Sequence, residues 1–139
     1  MYQGTLSAVR VNGELSVWFE TVTGVRQGCV LSPLLFNIFL EAVMALATEG
    51  VESGVNISGY VIDNLRFADD IAALAENNKD LQYWIKRLAE ESAYMGMKMN
   101  TDKTETQYIG KNPQPFSITV DGKQLNRLKV LFILEVTLV

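Results

Sequence analysis

The sequence predicts an α+β domain, an antiparallel sheet with two main helices packed on one face. Three observations predict it. Short β-branched and aromatic runs are separated by two-residue turn signals, Asn12-Gly13 and Asp121-Gly122. Two longer segments repeat apolar residues every three or four positions. A length of 139 residues, 48% hydrophobic and 20% charged, suits one packed domain.

Taken in order, Leu6 to Val11 and Leu15 to Val22 form a hairpin around Asn12-Gly13, a dipeptide that tolerates positive φ. The loop Thr23-Gly24-Val25-Arg26-Gln27-Gly28 follows. Ser32 as N-cap and Pro33 in the first turn then open a helix. Leu34, Leu35, Ile38, Phe39, Ala42, Val43 and Leu46 share one face of it, and Gly50 ends it, which reads as a buried helix. Between Val55 and Ala75 the runs Val55-Ile57, Tyr60-Ile62, Leu65-Ala68 and Ile71-Ala75 are too short for a helix. The last two flank Asp69-Asp70, which reads as strand, tight two-aspartate turn, strand. Asn77 or Asn78 caps a second helix burying Leu81, Trp84, Ile85, Leu88, Ser92 and Met95, with Gly96 as its stop. Met97 to Asn100, Thr104 to Ile109, Phe116 to Val120 and Leu128 to Val139 read as strands, and Pro113-Gln114-Pro115 as a short loop within one domain.

Composition removes several chemistries. There is no histidine, and the single cysteine is Cys29, so histidine-dependent nucleophilic catalysis, four-ligand zinc and internal disulfides are excluded. Any chemistry rests on carboxylates. The net charge of −4 exerts no long-range pull on a phosphate backbone; residues 1–70 carry −5 and residues 71–139 carry +1. No basic-then-apolar leader opens the chain, and the apolar stretch Leu31 to Ala47 is interrupted by Ser32, Pro33, Asn37 and Glu41. The expectation is an intracellular protein with no membrane partner.

The informative constellation is Phe67-Ala68-Asp69-Asp70. Adjacent carboxylates repel each other and make a poorer turn than Asn-Gly, whereas a divalent cation removes the repulsion. Hard oxygen ligands on a rigid hairpin suit Mg²⁺, and two such ions support phosphoryl transfer. Two solvated turn residues are the competing reading, and spacing alone does not decide. In the glycine loop, Gly24 and Gly28 permit close backbone approach and Gln27 offers an amide, although most such loops are only turns. Lys98 and Lys103 are either phosphate partners or solvated surface lysines.

Three segments together resemble consecutive motifs of the reverse transcriptase palm, nearest to the non-LTR (LINE-type) retrotransposon enzymes. They are Gly24-Val25-Arg26-Gln27-Gly28-Cys29-Val30-Leu31-Ser32-Pro33-Leu34-Leu35-Phe36-Asn37, Phe67-Ala68-Asp69-Asp70, and Gly96-Met97-Lys98-Met99-Asn100-Thr101-Asp102-Lys103-Thr104. The resemblance implies a partial polymerase palm over residues 1–139. It implies a metal-binding, catalytic role for Asp69, with Asp70 as supporting ligand, and Mg²⁺ or Mn²⁺ as cofactor. By the same resemblance Arg26, Gln27 and Gly28 would line the nucleotide and template pocket, Phe67 and Ala68 would lie near the primer end, and Lys103 near the leaving pyrophosphate as proton donor.

The resemblance also implies RNA template, DNA primer and deoxynucleoside triphosphate as partners of the intact enzyme, in nucleus or cytoplasm. The chain departs from the family at Ile133-Leu134-Glu135, where an aromatic and Leu-Gly are usual in the primer grip. The 23 residues before Gly24 contain no aspartate, so the family's other shared metal ligand is absent; Glu20 lies in the hairpin and is not assigned that role. By the same resemblance, residues 1–139 are expected to lack the fingers and thumb. The expectation is a fragment of an RNA-directed DNA polymerase, inactive alone, that binds missing palm, fingers or thumb segments or self-associates through exposed apolar faces around Phe36, Phe39 and Trp84. The alternative is a catalytically inactive relic or a nucleic-acid- or partner-binding module.

Overall fold

In the hairpin at the start of the chain, Asn12 and Gly13 have φ of 51° and 90°, the double positive sign of a type I′ turn that matches strand twist. The strands it joins are β1 (Leu6–Ser7), β2 (Arg10–Val11), β3 (Glu14–Leu15) and β4 (Phe19–Glu20). Val11 pairs with Glu14 and Arg10 with Leu15, but beyond them Ser7 pairs with Phe19 and Leu6 with Glu20. The returning strand therefore holds one extra residue, as in a β-bulge. Ser16 accommodates it: its N–H donates to Val9 O at 2.9 Å and its Oγ accepts from Val9 N at 3.0 Å. The two expected long strands are thus two short pairs with a break between them, and Val22 lies outside the described residues.

The computed structural model describes residues 4–21, 24–25, 28–110, 115–128 and 136–137. The chain divides into two compact units, residues 1–36 and 37–139. Helix α1 (Ser32–Thr48) begins in the first and continues into the second. Its buried apolar residues are Leu40, Val43, Met44 and Ala47, while Leu34, Ile38 and Leu46 are exposed, Ile38 at 60%. This corrects the expected face and the reading of a buried helix. The reason is that α1 is apolar on nearly every side, so periodicity leaves the phase of burial open, and tertiary packing selects it.

The second unit continues with β5 (Val55–Ile57) and β6 (Tyr60–Ile62), joined at Ser58-Gly59, and then β7 (Asn64–Phe67) and β8 (Asp70–Ala73). Strand β8 lies between β7 and β13 (Val136–Thr137), antiparallel to both. A central strand has both faces available for burial, which is why Ile71, Ala72 and Ala73 are all buried without alternation.

Helix α2 (Asn78–Tyr94) is amphipathic and well punctuated. Asn77 is the cap, accepting from Lys79 N and Asp80 N at 3.0 Å each, worth about 1 kcal/mol relative to Ala. At the other end Gly96, φ 81°, donates to Ala93 O while Met97 N donates to Ser92 O, the paired bonds of a Schellman motif. Leu81, Trp84, Ile85, Leu88 and Ser92 are buried as expected, and Met95 is half-buried. Trp84 is 1% exposed and so belongs to no uncovered face. Each buried Leu or Ile on this face contributes about 1.5–3 kcal/mol.

After α2 come β9 (Glu105–Thr106), β10 (Thr119–Val120), β11 (Lys123–Gln124) and β12 (Asn126–Arg127). Strands β10 and β11 form a hairpin at Asp121-Gly122, whereas β12 runs parallel to β9. The expected single antiparallel sheet is in fact a set of small sheets, one of them parallel, within the expected α+β class. Met97 to Asn100 contributes only an isolated bridge at Met99, and residues 116–118 are not strand.

Candidate functional site

The chain from Asn64 to Ala73 folds back on itself with Phe67 opposite Asp70, leaving a two-residue turn of Ala68 and Asp69. This corrects the expected two-aspartate turn: Asp70 is the first residue of β8. Ala68 has φ 53° and is the only residue of the turn with positive φ, the sign pattern of a type II′ turn that glycine normally fills. A Cβ in this region costs about 1–2 kcal/mol. The hairpin therefore carries local strain beside its two carboxylates.

Phe67 is 83% exposed, and Ala68, Asp69 and Asp70 are exposed with it. Neither carboxylate has an ion-pair partner among the described residues. One residue before Phe67, Arg66 Nη1 lies 2.7 Å from Glu41 Oε2 of α1 and fastens the hairpin stem. The buried Ile71-Ala72-Ala73 segment anchors the other strand. The result is two unpaired, adjacent carboxylates at the tip of a stem held on both sides. Among the described residues no group of three or more His, Cys, Asp or Glu is assembled to hold a metal ion. The donor set still fits Mg²⁺, which commonly takes one or two carboxylates and completes its shell with water and substrate phosphate.

Lys103 lies on a separate turn between α2 and β9. Asn100 organises that turn: its Oδ1 accepts from Asp102 N at 3.2 Å and Lys103 N at 3.3 Å, and its carbonyl accepts from Thr104 N and Thr104 Oγ1. Thr104 is fully buried, so the turn is rooted while Lys103 itself is exposed. Asp102 pairs with Lys123 of β11, and this hydrogen-bonded ammonium lowers the Asp102 carboxyl below its ordinary value. Lys98 is exposed.

The glycine loop belongs to the first unit. Gly24 and Gly28 have φ of 100° and 80°, and Gly28 is exposed; Arg26 and Gln27 lie outside the described residues, as does Ile133-Leu134-Glu135. A shallow cavity of about 280 Å³ lies between α2 and the β10–β11 hairpin, lined by Gln82, Lys86, Glu90 and Asp121 among others, and contains none of the candidate residues. Asn100, Gln82, Lys123 and the Arg66–Glu41 pair are contributions that sequence reasoning missed. Only Asn100, an Asx-turn former three residues before Lys103, carried a local signal.

No helix among the described residues is long and apolar enough to cross a membrane. Residues 1–132 match the reverse transcriptase (RNA-dependent DNA polymerase) family. The chain is 32% identical over 114 residues, 82% of its length, to the Retrovirus-related Pol polyprotein from type-2 retrotransposable element R2DM of Drosophila melanogaster. It is 36% identical over 101 residues, 73% of its length, to the corresponding type-1 element R2 polyprotein of Nasonia vitripennis, and 30% identical over 115 residues, 81%, to one from Popillia japonica. It spans 10%, 9% and 17% of those relatives. With the match extending across nearly the whole chain and through all three motif segments, the chain belongs to the reverse transcriptase family.

Proposed function

We propose that this chain is part of the palm of an RNA-directed DNA polymerase of a non-LTR retrotransposon, and that its hairpin from Phe67 to Asp70 is the chemical centre it contributes. The observation that carries the reading is the pair of carboxylates, Asp69 and Asp70, without an ion-pair partner among the described residues, at the tip of an anchored hairpin. Asp69 and Asp70 would hold Mg²⁺ or Mn²⁺, which when bound supplies electrostatic stabilisation of phosphoryl transfer.

The remaining roles belong to side chains. Phe67, exposed beside the turn, offers an aromatic surface on which a primer sugar or base packs. The strained Ala68 presents little bulk, so a primer end can approach the backbone there. Lys103, exposed on its rooted turn, would meet the triphosphate and hold a proton for the leaving pyrophosphate. Arg26, Gln27 and Gly28 would line the nucleotide and template pocket. RNA template, DNA primer and deoxynucleoside triphosphate are the partners of this reading, and further segments of palm, fingers and thumb would complete the enzyme.

Residues 1–139 alone should not polymerise, because no further carboxylate joins Asp69 and Asp70 among the described residues. Substoichiometric Mn²⁺ added to the isotopically labelled chain tests the reading. Paramagnetic broadening should centre on residues 67–71 and vanish in Asp69→Asn. Broadening confined to other acids would sink it. In parallel, primer extension on an RNA template should give no product; product that disappears in Asp69→Ala would refute the expectation of inactivity.

A further inference from the structure

The turn from Asn100 to Thr104 is built more firmly than a link between α2 and β9 requires. Asn100 supplies its hydrogen bonds, and Asp102 ties it to Lys123, 21 residues away on β11. The hairpin that carries Lys123 is itself held by α2, since Gln82 Nε2 donates to Thr119 O at 2.9 Å and Gln82 Oε1 accepts from Thr119 N at 2.8 Å. Lys103, next to Asp102, is exposed, and its ammonium has no hydrogen bond or ion pair among the described residues.

The charges decide what this arrangement does. A bare Asp102 carboxylate beside Lys103 would attract that ammonium or repel an approaching phosphate, even in water. Lys123 already occupies the carboxylate. Glu105, the next acid along the chain, is half-buried two residues beyond Lys103.

We propose that Lys123 is a positioning residue for Lys103: by occupying Asp102 it leaves the Lys103 ammonium unpaired and able to receive a pyrophosphate or triphosphate. The inference rests on the reading of Lys103 as a phosphate contact. It differs from a direct role for Lys123 in one measurable respect. A lysine that touches phosphate cannot be replaced by deleting an acid, whereas a lysine that only neutralises Asp102 can.

The experiment is a titration of the isotopically labelled chain with inorganic pyrophosphate, observed at the Lys103 side chain by NMR. The wild-type chain should show a Lys103 response that is lost in Lys103→Met. Lys123→Met should weaken binding about threefold, as expected for exposed charges, whereas Asp102→Asn and the double variant should bind alike and at least as tightly as wild type, because without the carboxylate Lys123 has nothing to neutralise. Lys123→Arg should bind like wild type. Unchanged Thr119, Val120 and Gln124 amide shifts in Lys123→Met would exclude a disturbed hairpin, and the Lys123→Arg rescue keeps the comparison decisive if they change. Absence of a Lys103 response, or binding that survives Lys103→Met, overturns the reading of Lys103 and the inference with it. Lys103-dependent binding in which Lys123→Met weakens the Asp102→Asn chain as much as it weakens the wild-type chain, or in which Lys123→Met has no effect, overturns the inference alone.

Discussion

Arg66 and Glu41, 25 residues apart, join the stem of the aspartate hairpin to α1 through a 2.7 Å contact between Nη1 and Oε2. The Arg66 side chain is 32% exposed and that of Glu41 68%, so water screens the pair. An ion pair of this kind contributes about 0.2–1 kcal/mol, less than one buried leucine. Its consequence is orientation: the anchored residue is one position from Phe67 and three from Asp69.

A double-mutant cycle with Glu41→Gln and Arg66→Gln should therefore give a coupling of about 0.2–1 kcal/mol at low salt. In 1 M salt, where the screening length is about 3 Å, most of it should disappear. A coupling that resists salt would mean that the pair is more enclosed than its exposure indicates.

Ala68 at φ 53° makes the hairpin tip a place where stability can be gained. Ala68→Gly removes a left-handed penalty of about 1–2 kcal/mol and adds a glycine entropy cost of about 0.5–1 kcal/mol. Urea unfolding should show a net gain of up to about 1.5 kcal/mol from these two terms. Ala68→Val should lose stability, because a β-branched side chain is worse in the same backbone region. Equal stability of all three proteins would show that the strain is absent.

Where local chemistry determined structure, the sequence was legible. Asn12-Gly13 and Asp121-Gly122 could each serve both positive-φ positions of a hairpin, and Asn77 with Gly96 marked the ends of α2. The aspartate turn was misread because nothing in Ala68 favours positive φ; the neighbouring strands impose it. Burial in α1 was misread because the helix offers apolar residues in every direction. Asp69, Asp70 and Lys103 were identifiable as candidates from three motifs in order, but the contacts that organise their surroundings are tertiary. Asp102–Lys123, Gln82–Thr119 and Arg66–Glu41 span 21, 37 and 25 residues, and no local pattern encodes them.

Gln82 shows how such a contact works. Its side-chain amide pairs with both the N–H and the carbonyl of Thr119, as a neighbouring strand would, and so closes the edge of β10. Gln82→Ala leaves both groups to water. Because Thr119 is exposed, the loss should be about 0.5–1.5 kcal/mol rather than the larger cost of a buried orphan. Hydrogen exchange should accelerate at Thr119 while the amides of Leu81 and Ile85 keep their protection. Uniform acceleration through α2 would mean instead that Gln82 supports the helix.

The Asp102–Lys123 pair sets a pH dependence with a definite sign. Lys123 lowers the Asp102 carboxyl from its ordinary 3.8, first through the hydrogen bond to its side chain and then through charge. A carboxyl lowered in the folded protein binds its proton more readily when unfolded, so its contribution is complete above the unfolded pKa of about 3.9. That contribution is lost as pH falls through the folded value. The stability difference between the wild-type chain and Asp102→Asn should therefore be constant at neutral pH and shrink only as the solution is acidified below the ordinary aspartate range. Since Asp102 is fully exposed, the difference should be small and should diminish in 1 M salt. Urea titrations of both proteins across that range, repeated with Lys123→Met, measure it directly. A difference that grows on acidification would reverse the sign and show that the lysine does not stabilise the charged carboxylate.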